Sequence, residues 1–584
     1  MNLITFNLDD KLLRNFDQKI INKKKNLLFH HAYQQNKYFQ KKNKYNVAKL
    51  YEFNKHKNLS KQIKTVNKNY NVLLFYLSKK LNEAHNKKFK KEYWEIIIGK
   101  WLKTFVYQMS VNWEILNKIE KKYKIKSFSK IALDNYAFLP ENTWHAHILT
   151  RSGEYKYNLF HHWTISKMID HKKNIKNNFV NLKNNSLLKK RINKLNMPAR
   201  YQNIFYKSFN NKIFYYLWDV PKKIKIELMR KFKFINLQIN NRTLTKNKSI
   251  YFNREKLFKT FDNKINFESF LKNVIKYTFP KIFLENFCNL ELSYRLANWP
   301  KKPKYIFTSF PYYDELFKFY CAENYNSGSK LVITQHGYDN IYKHDDWHVN
   351  KMFKNQLSWG KNKKKGLRTF LFTKNYVEKK TYFKFEKKNK ILIILYSFTE
   401  MEEKFPNGYL DNFSINKSIF NSTINYLENL DKPIFRKNEI KALQLTRYPI
   451  LKNSIKKKYK NIKFMGVEKP FNKIILNYNL SVHLFIGTPF FESMYLNRPT
   501  IVIFNEKAHS RFDEKFKFYL KRLKDFKICF DNPKDAAKFI NKNYKTLDKW
   551  WNLPERQKLI DDFCEFFCKR SKNLNQELEN ILKS

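Results

Sequence analysis

The sequence predicts an α/β protein in which short apolar strands alternate with helices and pair into parallel sheets. From residue 304 onward, apolar runs of four to six residues recur between longer segments with helical periodicity. This alternation is typical of a parallel sheet that helices cover on both faces. The chain has 584 residues, of which 43% are hydrophobic. It is therefore too long for a single core, and we expect two or three domains.

Several classes of protein are disfavoured by the sequence. No stretch has the roughly 18 consecutive apolar residues that a membrane-spanning helix needs. Residues 1–10 lack the basic-then-apolar order of a secretion signal. The five cysteines have no regular spacing, which argues against a disulfide framework or a zinc module. Cys564 and Cys568 are expected on one helix face in a structural role. We expect a cytoplasmic protein, and nothing in the sequence requires a cofactor or a bound metal ion.

The net charge of +66 has two interpretations that remain open. It predicts a polyanionic partner, either a nucleic acid or an anionic membrane surface. However, lysine supplies nearly all of the charge, and asparagine, isoleucine, phenylalanine and tyrosine are also abundant, as an AT-rich coding sequence would produce. The lysines are spread along the whole chain. We therefore expect peripheral contact with the inner face of an anionic cytoplasmic membrane and no specific nucleic acid partner.

The order of segments predicts five regions. They are an irregular N-terminal extension with short helices (1–70), a first α/β domain with helical insertions (71–360), an interdomain connection (361–390), a second α/β domain (391–545) and C-terminal helices (546–584). The first clear strand is predicted at 71–77 and a long buried helix at 91–118. The final helices are expected to pack back across the domain boundary.

The second domain contains the most regular alternation. Its predicted elements include a strand at 391–396, a helix at 438–444, a strand at 481–486, a helix at 490–496 and a strand at 500–504. In parallel sheets, ligands bind beyond the carboxyl ends of the strands. Polar residues that directly follow these strands are therefore the candidate site residues.

His336 is the first candidate. It follows the predicted strand 330–334 and precedes Gly337, which permits a tight turn and the close approach of a ligand. An imidazole at this edge can take a proton from a hydroxyl. The alternative is a histidine that is hydrogen-bonded within a loop.

Arg447 is the second candidate. It lies in the segment Leu445–Pro449, and its planar, permanently charged side chain suits phosphate oxygens. Arginine is scarce in this lysine-rich chain, which makes an arginine beside a proline-fixed turn more informative. A structural salt bridge is the alternative.

The turn Gly487-Thr488-Pro489 is the third candidate. A strand runs into it and a helix begins at Pro489 or Phe490, since proline favours the first turn of a helix. The backbone N–H groups and the Thr488 hydroxyl can hold phosphate. Glu492 is expected in the first helical turn, where it could accept hydrogen bonds from ribose hydroxyls or merely complement the helix dipole.

Two further clusters are weaker candidates on the acceptor side. Asp345 and Asp346 lie between histidines, and the polar-loop interpretation outweighs a metal site. Glu83 and His85 follow the predicted strand 71–77 and would lie at the mouth of the first sheet.

Taken together, these segments resemble the LIC12162-type transferase family, which is associated with lipopolysaccharide and O-antigen biosynthesis. The matching stretches are LNEAHNKKFKKEYWEIIIGKWLKTFVYQM, KLVITQHGYDN, LSWGK, TRYP and HLFIGTPFFESMYLNRPTIVIF. That family is similar to two-domain GT-B glycosyltransferases and to the polyol-phosphate transferases that polymerise teichoic acids. The resemblance spans roughly residues 70–540.

The resemblance implies a GT-B-like architecture, with two Rossmann-like domains that face a cleft. It also implies transfer of a glycosyl group from a nucleotide-activated sugar to a saccharide or lipid-linked acceptor, without a metal ion. His336 would be the base, with Arg447, Gly487, Thr488 and Glu492 around the donor. The teichoic-acid pattern has paired serines where this chain has Gly487-Thr488-Pro489. The alternatives are therefore a polyol-phosphate (CDP-glycerol-like) transferase and, from the charge, a basic nucleic-acid-binding protein.

Overall fold

A computed structural model describes most of the chain. The described residues are 1–5, 26–28, 46–47, 59–149, 155–180, 213–216, 220, 222–232, 234–236, 250–259, 264–297, 299–300, 302–309, 314–337, 355–361, 367–370, 382–384, 390–395, 421–430, 439–444, 459, 462–465, 471–504, 512–571 and 573–583. They form three parallel sheets with helices between them. The α/β class is therefore confirmed. None of the described helices is both long and apolar enough to cross a bilayer.

The first sheet has five strands in the order β3-β2-β1-β4-β5, and every pairing is parallel. Its strands are β1 Asn2–Ile4, β2 Asn26–Leu28, β3 Asn46–Val47, β4 Ser127–Ile131 and β5 Lys176–Val180. Its helices are α1 Leu59–His85, α2 Lys91–Tyr123, α3 Thr143–Leu149 and α4 Tyr155–Lys172. Residues 1–70 thus supply three strands of a sheet, and the expectation of an irregular helical extension is corrected.

The strand predicted at 71–77 is wrong, because these residues lie in the middle of helix α1. The run NVLLFYL is short and apolar, and such a run does not by itself distinguish a strand from a buried helix. Leu73, Leu74 and Leu77 are buried, at the three- and four-residue spacing of one helix face. Helix α1 also runs through the predicted boundary at residue 70. The helix predicted at 91–118 is confirmed as α2, which extends to Tyr123.

The second sheet has six strands in the order β11-β10-β9-β8-β6-β7, also parallel. The strands are β6 Ile213–Tyr216, β7 Phe234–Asn236, β8 Tyr305–Thr308, β9 Lys330–Thr334, β10 Asn355–Ser358 and β11 Leu367–Thr369. The helices are α5 Lys222–Phe232, α6 Arg254–Leu257, α7 Phe267–Thr278, α8 Phe287–Leu296 and α9 Glu315–Asn326. One hydrophobic core extends from the first sheet across α2 and α9 to one face of this sheet.

The third sheet has six parallel strands in the order β14-β13-β12-β15-β16-β17. The strands are β12 Lys390–Leu395, β13 Glu439–Gln444, β14 Lys463–Met465, β15 Leu480–His483, β16 Thr500–Ile503 and β17 Cys529–Phe530. The helices are α10 Phe471–Ile475, α11 Thr488–Tyr495, α12 Glu514–Asp525, α13 Pro533–Asn543, α14 Leu547–Trp551, α15 Pro554–Phe567 and α16 Leu574–Lys583. Numbered within this sheet, the strand order is 3-2-1-4-5-6, that of the Rossmann fold.

The helix predicted at 438–444 is wrong, since Glu439–Gln444 is strand β13. Its residues, Glu-Ile-Lys-Ala-Leu-Gln, have good helix propensity, which is a weak determinant that tertiary context overrides. β13 pairs with β12 along six residues and with β14 on its other side. Pairing on both sides satisfies its backbone as a central strand.

The C-terminal helices join the second and third sheets, as expected for crossing helices. Phe563 of α15 packs in the core of the third sheet. Leu578 and Ile581 of α16 pack in the core on the other face of the second sheet. The hydroxyl of Tyr305, in β8, donates a hydrogen bond to the carbonyl of Leu582 at 3.0 Å.

Gly360, just after β10, lies where the backbone of the second sheet closely approaches the backbone of α15. A Cβ at this position would collide with the backbone carbonyl of Phe566 and lie 2.8 Å from the nitrogen of Phe567. Two backbone hydrogen bonds flank the contact, from Lys361 to Glu565 at 3.0 Å and from Lys569 to the carbonyl of Trp359 at 2.6 Å. Glycine is needed here because backbone meets backbone.

We predict that Gly360→Ala destabilises this junction by about 2 kcal/mol or more, because neither backbone can move without breaking the flanking hydrogen bonds. Hydrogen exchange at residues 359–361 and 565–569 measures the effect. Gly328→Ala is the control. A Cβ there meets nothing within 4 Å but has a φ of 93°, so we expect a cost of only about 1 kcal/mol. Equal exchange in the Gly360 variant and the parent would contradict the prediction.

Candidate functional site

The turn at Gly487 and Thr488 lies where the strand order of the third sheet changes direction. In the order 3-2-1-4-5-6, the reversal falls between β12 and β15, which pair directly. Ligands of open parallel sheets bind in the crevice outside the carboxyl ends of the two strands at this point. β15 ends at His483, and four residues later the chain reaches Gly487 and begins α11. The strand order therefore places this turn at the edge where sheets of this kind bind ligands.

Helix α11 begins without a side-chain cap. Its N-cap residue is Gly487, in extended conformation, and Thr488 and Pro489 are the first helical residues. The helices that follow β8, β16 and β17 instead begin at capping side chains that accept a backbone N–H, those of Asp314, Asp513 and Asn532. At an uncapped helix start, the backbone N–H groups and the positive end of the helix dipole can interact with an anion from outside the helix.

Glu492 is not in the first turn of α11, contrary to the expectation. It is the fifth residue of a helix that begins at Thr488, one or two residues earlier than the predicted start at Pro489 or Phe490. Its side chain is buried, whereas Thr488 is half-buried. Thr488 therefore lies closer to the helix start and to the crevice, while Glu492 lies a turn deeper.

Three predicted site residues lie outside the described residues, namely Arg447, Asp345 and Asp346. The described part of the chain nevertheless fixes where the segment with Arg447 begins. β13 ends at Gln444, and β13 is separated from β15 only by β12. With strands about 4.8 Å apart, the chain leaves β13 about 10 Å from the end of β15, at the same edge of the sheet.

A buried network of polar side chains connects α11 to the neighbouring strands. The Nε2 of His483 lies 3.2 Å from the hydroxyls of both Ser481 and Ser493, and Ser493 donates to the carbonyl of Pro489 at 2.9 Å. Ser481 in turn lies 2.9 Å from the hydroxyl of Thr500. Burial lowers the pKa of His483 to about 3. The ring is therefore neutral at physiological pH, and it joins the first turn of α11 to strands β15 and β16.

His336 lies directly after β9, at the carboxyl edge of the second sheet, as predicted. Its side chain is exposed, and Gln335 and Gly337 on either side are half-buried. The neighbouring strand ends carry buried hydroxyls, with Ser309 2.6 Å from Thr334. The side chain of His336 is therefore solvent-exposed at the carboxyl edge of the sheet.

Glu83 and His85 are not at the mouth of a sheet, because they belong to the last turn of α1. Glu83 pairs with Lys80 at 3.0 Å on the surface. The Nε2 of His85 bonds to the carbonyl of Phe283 at 3.0 Å, and its ring stacks 4.2 Å from Phe287. Burial lowers the pKa of His85, although the bond to the carbonyl opposes this effect. His85 is thus a packing residue.

The crevice of the first sheet is closed by a histidine. Its winding reverses between β1 and β4, and the buried ring of His162 from α4 bridges these two strand ends. Nε2 accepts the N–H of Ile131 at 3.0 Å, and Nδ1 lies 2.7 Å from the hydroxyl of Thr5. Because Nε2 accepts, Nδ1 carries the proton and donates to Thr5. This edge is therefore filled by protein.

Sequence reasoning missed His483, Ser493 and Gln335, all of which adjoin the predicted motifs. His483 and Ser493 flank the Gly487 turn. However, no sequence pattern distinguishes a histidine or serine that holds the first turn of α11 by hydrogen bonds from one that merely packs in the core. Within the described part of the chain, no group of three or more His, Cys, Asp or Glu residues is arranged to hold a metal ion.

Residues 12–582 match the family model described as LIC12162 family transferase. The chain belongs to the LIC12162 transferase family. The match covers nearly the whole sequence, including strands β2 and β3, which the resemblance at 70–540 did not reach. No curated protein sequence matches the chain significantly.

Several solved structures are remotely similar to this family member. They include the wall teichoic acid polymerase TagF (10% identity, 64% of this chain and 88% of that chain, TM-score 0.32), Acinetobacter baumannii MurG (11%, 64% and 99%, 0.31) and Anabaena HepE with UDP-glucose (9%, 64% and 99%, 0.34). At these TM-scores the likenesses carry no argument about the site. The assignment of the crevice depends on the chain's own strand order.

We predict that His483 gives the third sheet a specific sensitivity to acid. The pKa of a histidine in the unfolded chain is about 6.5, well above the folded value of about 3. Above pH 6.5 the ring is neutral in both states, and its contribution to the free energy of unfolding is fully present. As the pH falls, only the unfolded chain takes up the proton, so the free energy of unfolding declines by about 1.4 kcal/mol per pH unit.

Hydrogen exchange at 480–504 between pH 7 and pH 4, corrected for the intrinsic exchange rate, measures this slope. His483→Gln can still hydrogen-bond but cannot titrate, so the variant should lose that part of the slope. A difference in unfolding free energy between variant and parent that is independent of pH would contradict the prediction.

Proposed function

We propose that the chain transfers a glycosyl group from a nucleotide-activated sugar to a surface polysaccharide or a lipid-linked acceptor. Membership of a transferase family supports the reaction class. The observation that carries the proposal is the uncapped start of α11 at the reversal point of a sheet with Rossmann strand order. This combination suits the diphosphate of a nucleotide.

The donor site would be built at the carboxyl edge of the third sheet. The backbone N–H groups of Gly487 and Thr488 and the Thr488 hydroxyl would donate to the phosphates. Arg447, which follows the last residue of β13 by three positions in the sequence, would add a charge-assisted contact. Glu492, one turn further along α11, would hold a ribose hydroxyl or orient Thr488. The helix start and Arg447 would together offset the charge that develops on the departing diphosphate.

His336 would act as the base at the second sheet. A sugar hydroxyl is a poor nucleophile at neutral pH, and a positioned base typically accelerates such a transfer 10²–10⁴-fold. The imidazole would take the proton as the acceptor oxygen bonds to the reacting carbon and the bond to the diphosphate breaks. Asp345 and Asp346 follow His336 in the sequence and would contact the acceptor.

CDP-glycerol is the second candidate donor, because the same arrangement of helix start, arginine and His-Gly pair serves polyol-phosphate transfer. In that reaction the acceptor oxygen would attack the β-phosphorus, and CMP would leave. The two candidates differ in the nucleotide product, which is a diphosphate for most nucleotide sugars and CMP for CDP-glycerol. The high positive charge would hold the enzyme at an anionic membrane, where lipid-linked acceptors lie.

We predict that Arg447→Ala weakens nucleotide binding about 10- to 100-fold, since a hydrogen bond to a charged group contributes about 1.5–3 kcal/mol. Thr488→Val should weaken it several-fold. A thermal-shift screen with UDP-, GDP- and CMP-linked sugars and CDP-glycerol identifies the ligand, and calorimetry gives the dissociation constants.

Arg522→Ala is the matched control, because Arg522 lies in the last turn of α12, at the opposite edge of the same sheet. We expect it to bind nucleotide like the parent. Equal binding by the Arg447 and Arg522 variants would remove Arg447 from the site. Retention of RNA in place of any nucleotide would favour the nucleic-acid-binding alternative.

We predict that His336→Ala lowers turnover at least 100-fold with donor binding intact, because only the proton transfer is lost. Release of nucleotide product, measured with the donor from the screen, gives the rate. His85→Ala is the matched control. It should reduce stability by opening the aromatic cluster, with unchanged turnover per folded molecule. Near-normal turnover by the His336 variant would disprove its role as the base.

A further inference from the structure

The side chain of Gln335 bridges two neighbouring strand ends beside His336. Its carbonyl oxygen accepts the backbone N–H of Trp359 at 2.9 Å, and its amide nitrogen donates to the carbonyl of Gly337 at 2.6 Å. Its backbone N–H donates to the carbonyl of Leu357 at 2.9 Å. All three hydrogen-bonding groups therefore hold the chain on either side of His336.

The bridge connects to the C-terminal segment through Trp359. The carbonyl of Trp359 accepts the N–H of Lys569 at 2.6 Å, and the Trp359 ring is buried in the core of the third sheet. The next residue, Arg570, donates to the carbonyls of Tyr495 at 2.8 Å and Met494 at 2.7 Å, at the end of α11. A continuous series of contacts thus joins the His336 turn to helix α11.

The same turn is held on its other side by the hydroxyls of Ser309 and Thr334. His336 lies within this supported segment, and its side chain is exposed. The position of its backbone determines which points the His336 ring can reach. Gln335 fixes that backbone directly through Gly337.

We propose that Gln335 is the positioning residue of His336, and that it sets the position of the ring relative to the second and third sheets. The proposal rests on the proposed role of His336 as the base. Reaction rates are sensitive to such placement, since a displacement of about 1 Å can cost 10²-fold in rate. Donor binding lies on the third sheet and should not depend on the Gln335 amide.

Hydrogen exchange tests the bridge without any substrate. The amide of Trp359 is protected by an acceptor that Gln335→Met removes, so exchange at this amide should accelerate at least tenfold. Gln335→Glu keeps an acceptor for Trp359 and should keep the protection. Gln108→Met, on helix α2, is the matched control and should leave exchange at Trp359 unchanged. Protection that persists in Gln335→Met would overturn the proposal.

Turnover tests the positioning role. Both Gln335→Met and Gln335→Glu lose the donor to Gly337, so we expect kcat to fall 10- to 100-fold in each, with the KM for the donor within twofold of the parent. Gln108→Met should match the parent. A parental kcat in Gln335→Met, or a KM that rises in proportion to the loss, would overturn the proposal.

The double variant separates positioning from general support. If Gln335 acts through His336, adding Gln335→Met to His336→Ala causes no further loss of turnover. Losses that multiply would show a role independent of His336 and overturn the proposal. Normal turnover by His336→Ala alone would instead contradict the proposed base. An inactive His336→Ala with a normal Gln335→Met contradicts only the positioning role.

Discussion

The backbone contact between Gly360 and Phe566 is the constraint on which the arrangement of the second and third sheets depends. Here two backbone segments of the same chain meet without an intervening side chain, and a backbone hydrogen bond flanks the contact on each side. Around it, α15 packs against α11 through Phe563 and Phe491, whose rings stack 5.8 Å apart. Beyond it, α16 covers the far face of the second sheet. Both candidate sites are therefore positioned by one C-terminal segment.

The three sheets share one construction principle but differ at the edge where ligands bind. Each has a point where its winding reverses. In the first sheet the buried ring of His162 occupies that point and satisfies the strand ends. In the third, the chain presents Gly487 and an uncapped helix start. The backbone N–H and C=O groups at the end of a strand bond either to other groups of the protein or to a ligand. For this reason we propose the donor site at the third sheet.

The sequence predicts most elements between residues 305 and 530, because short apolar strands separated by amphipathic helices have distinct periods. It misses β10 and also β11, which lies within the segment 361–390 that was predicted as an interdomain connection. It does not predict β1, β2 and β3, whose two or three residues are too short to show alternation. Nor does it predict β13, where helix-forming residues pair on both sides as a central strand. Thr488 and His336 were found because they follow strands. His483, Ser493 and Gln335 act through hydrogen bonds that only the folded chain brings together.

The most direct test of the account is a structure of the protein with its nucleotide bound at saturation. We expect diphosphate density at the carboxyl edge of the third sheet, within hydrogen-bond distance of Gly487 and Thr488. Its oxygens should lie on the axis of α11. Density for the diphosphate at the edge of either other sheet, or on the basic surface away from any strand end, would contradict the account.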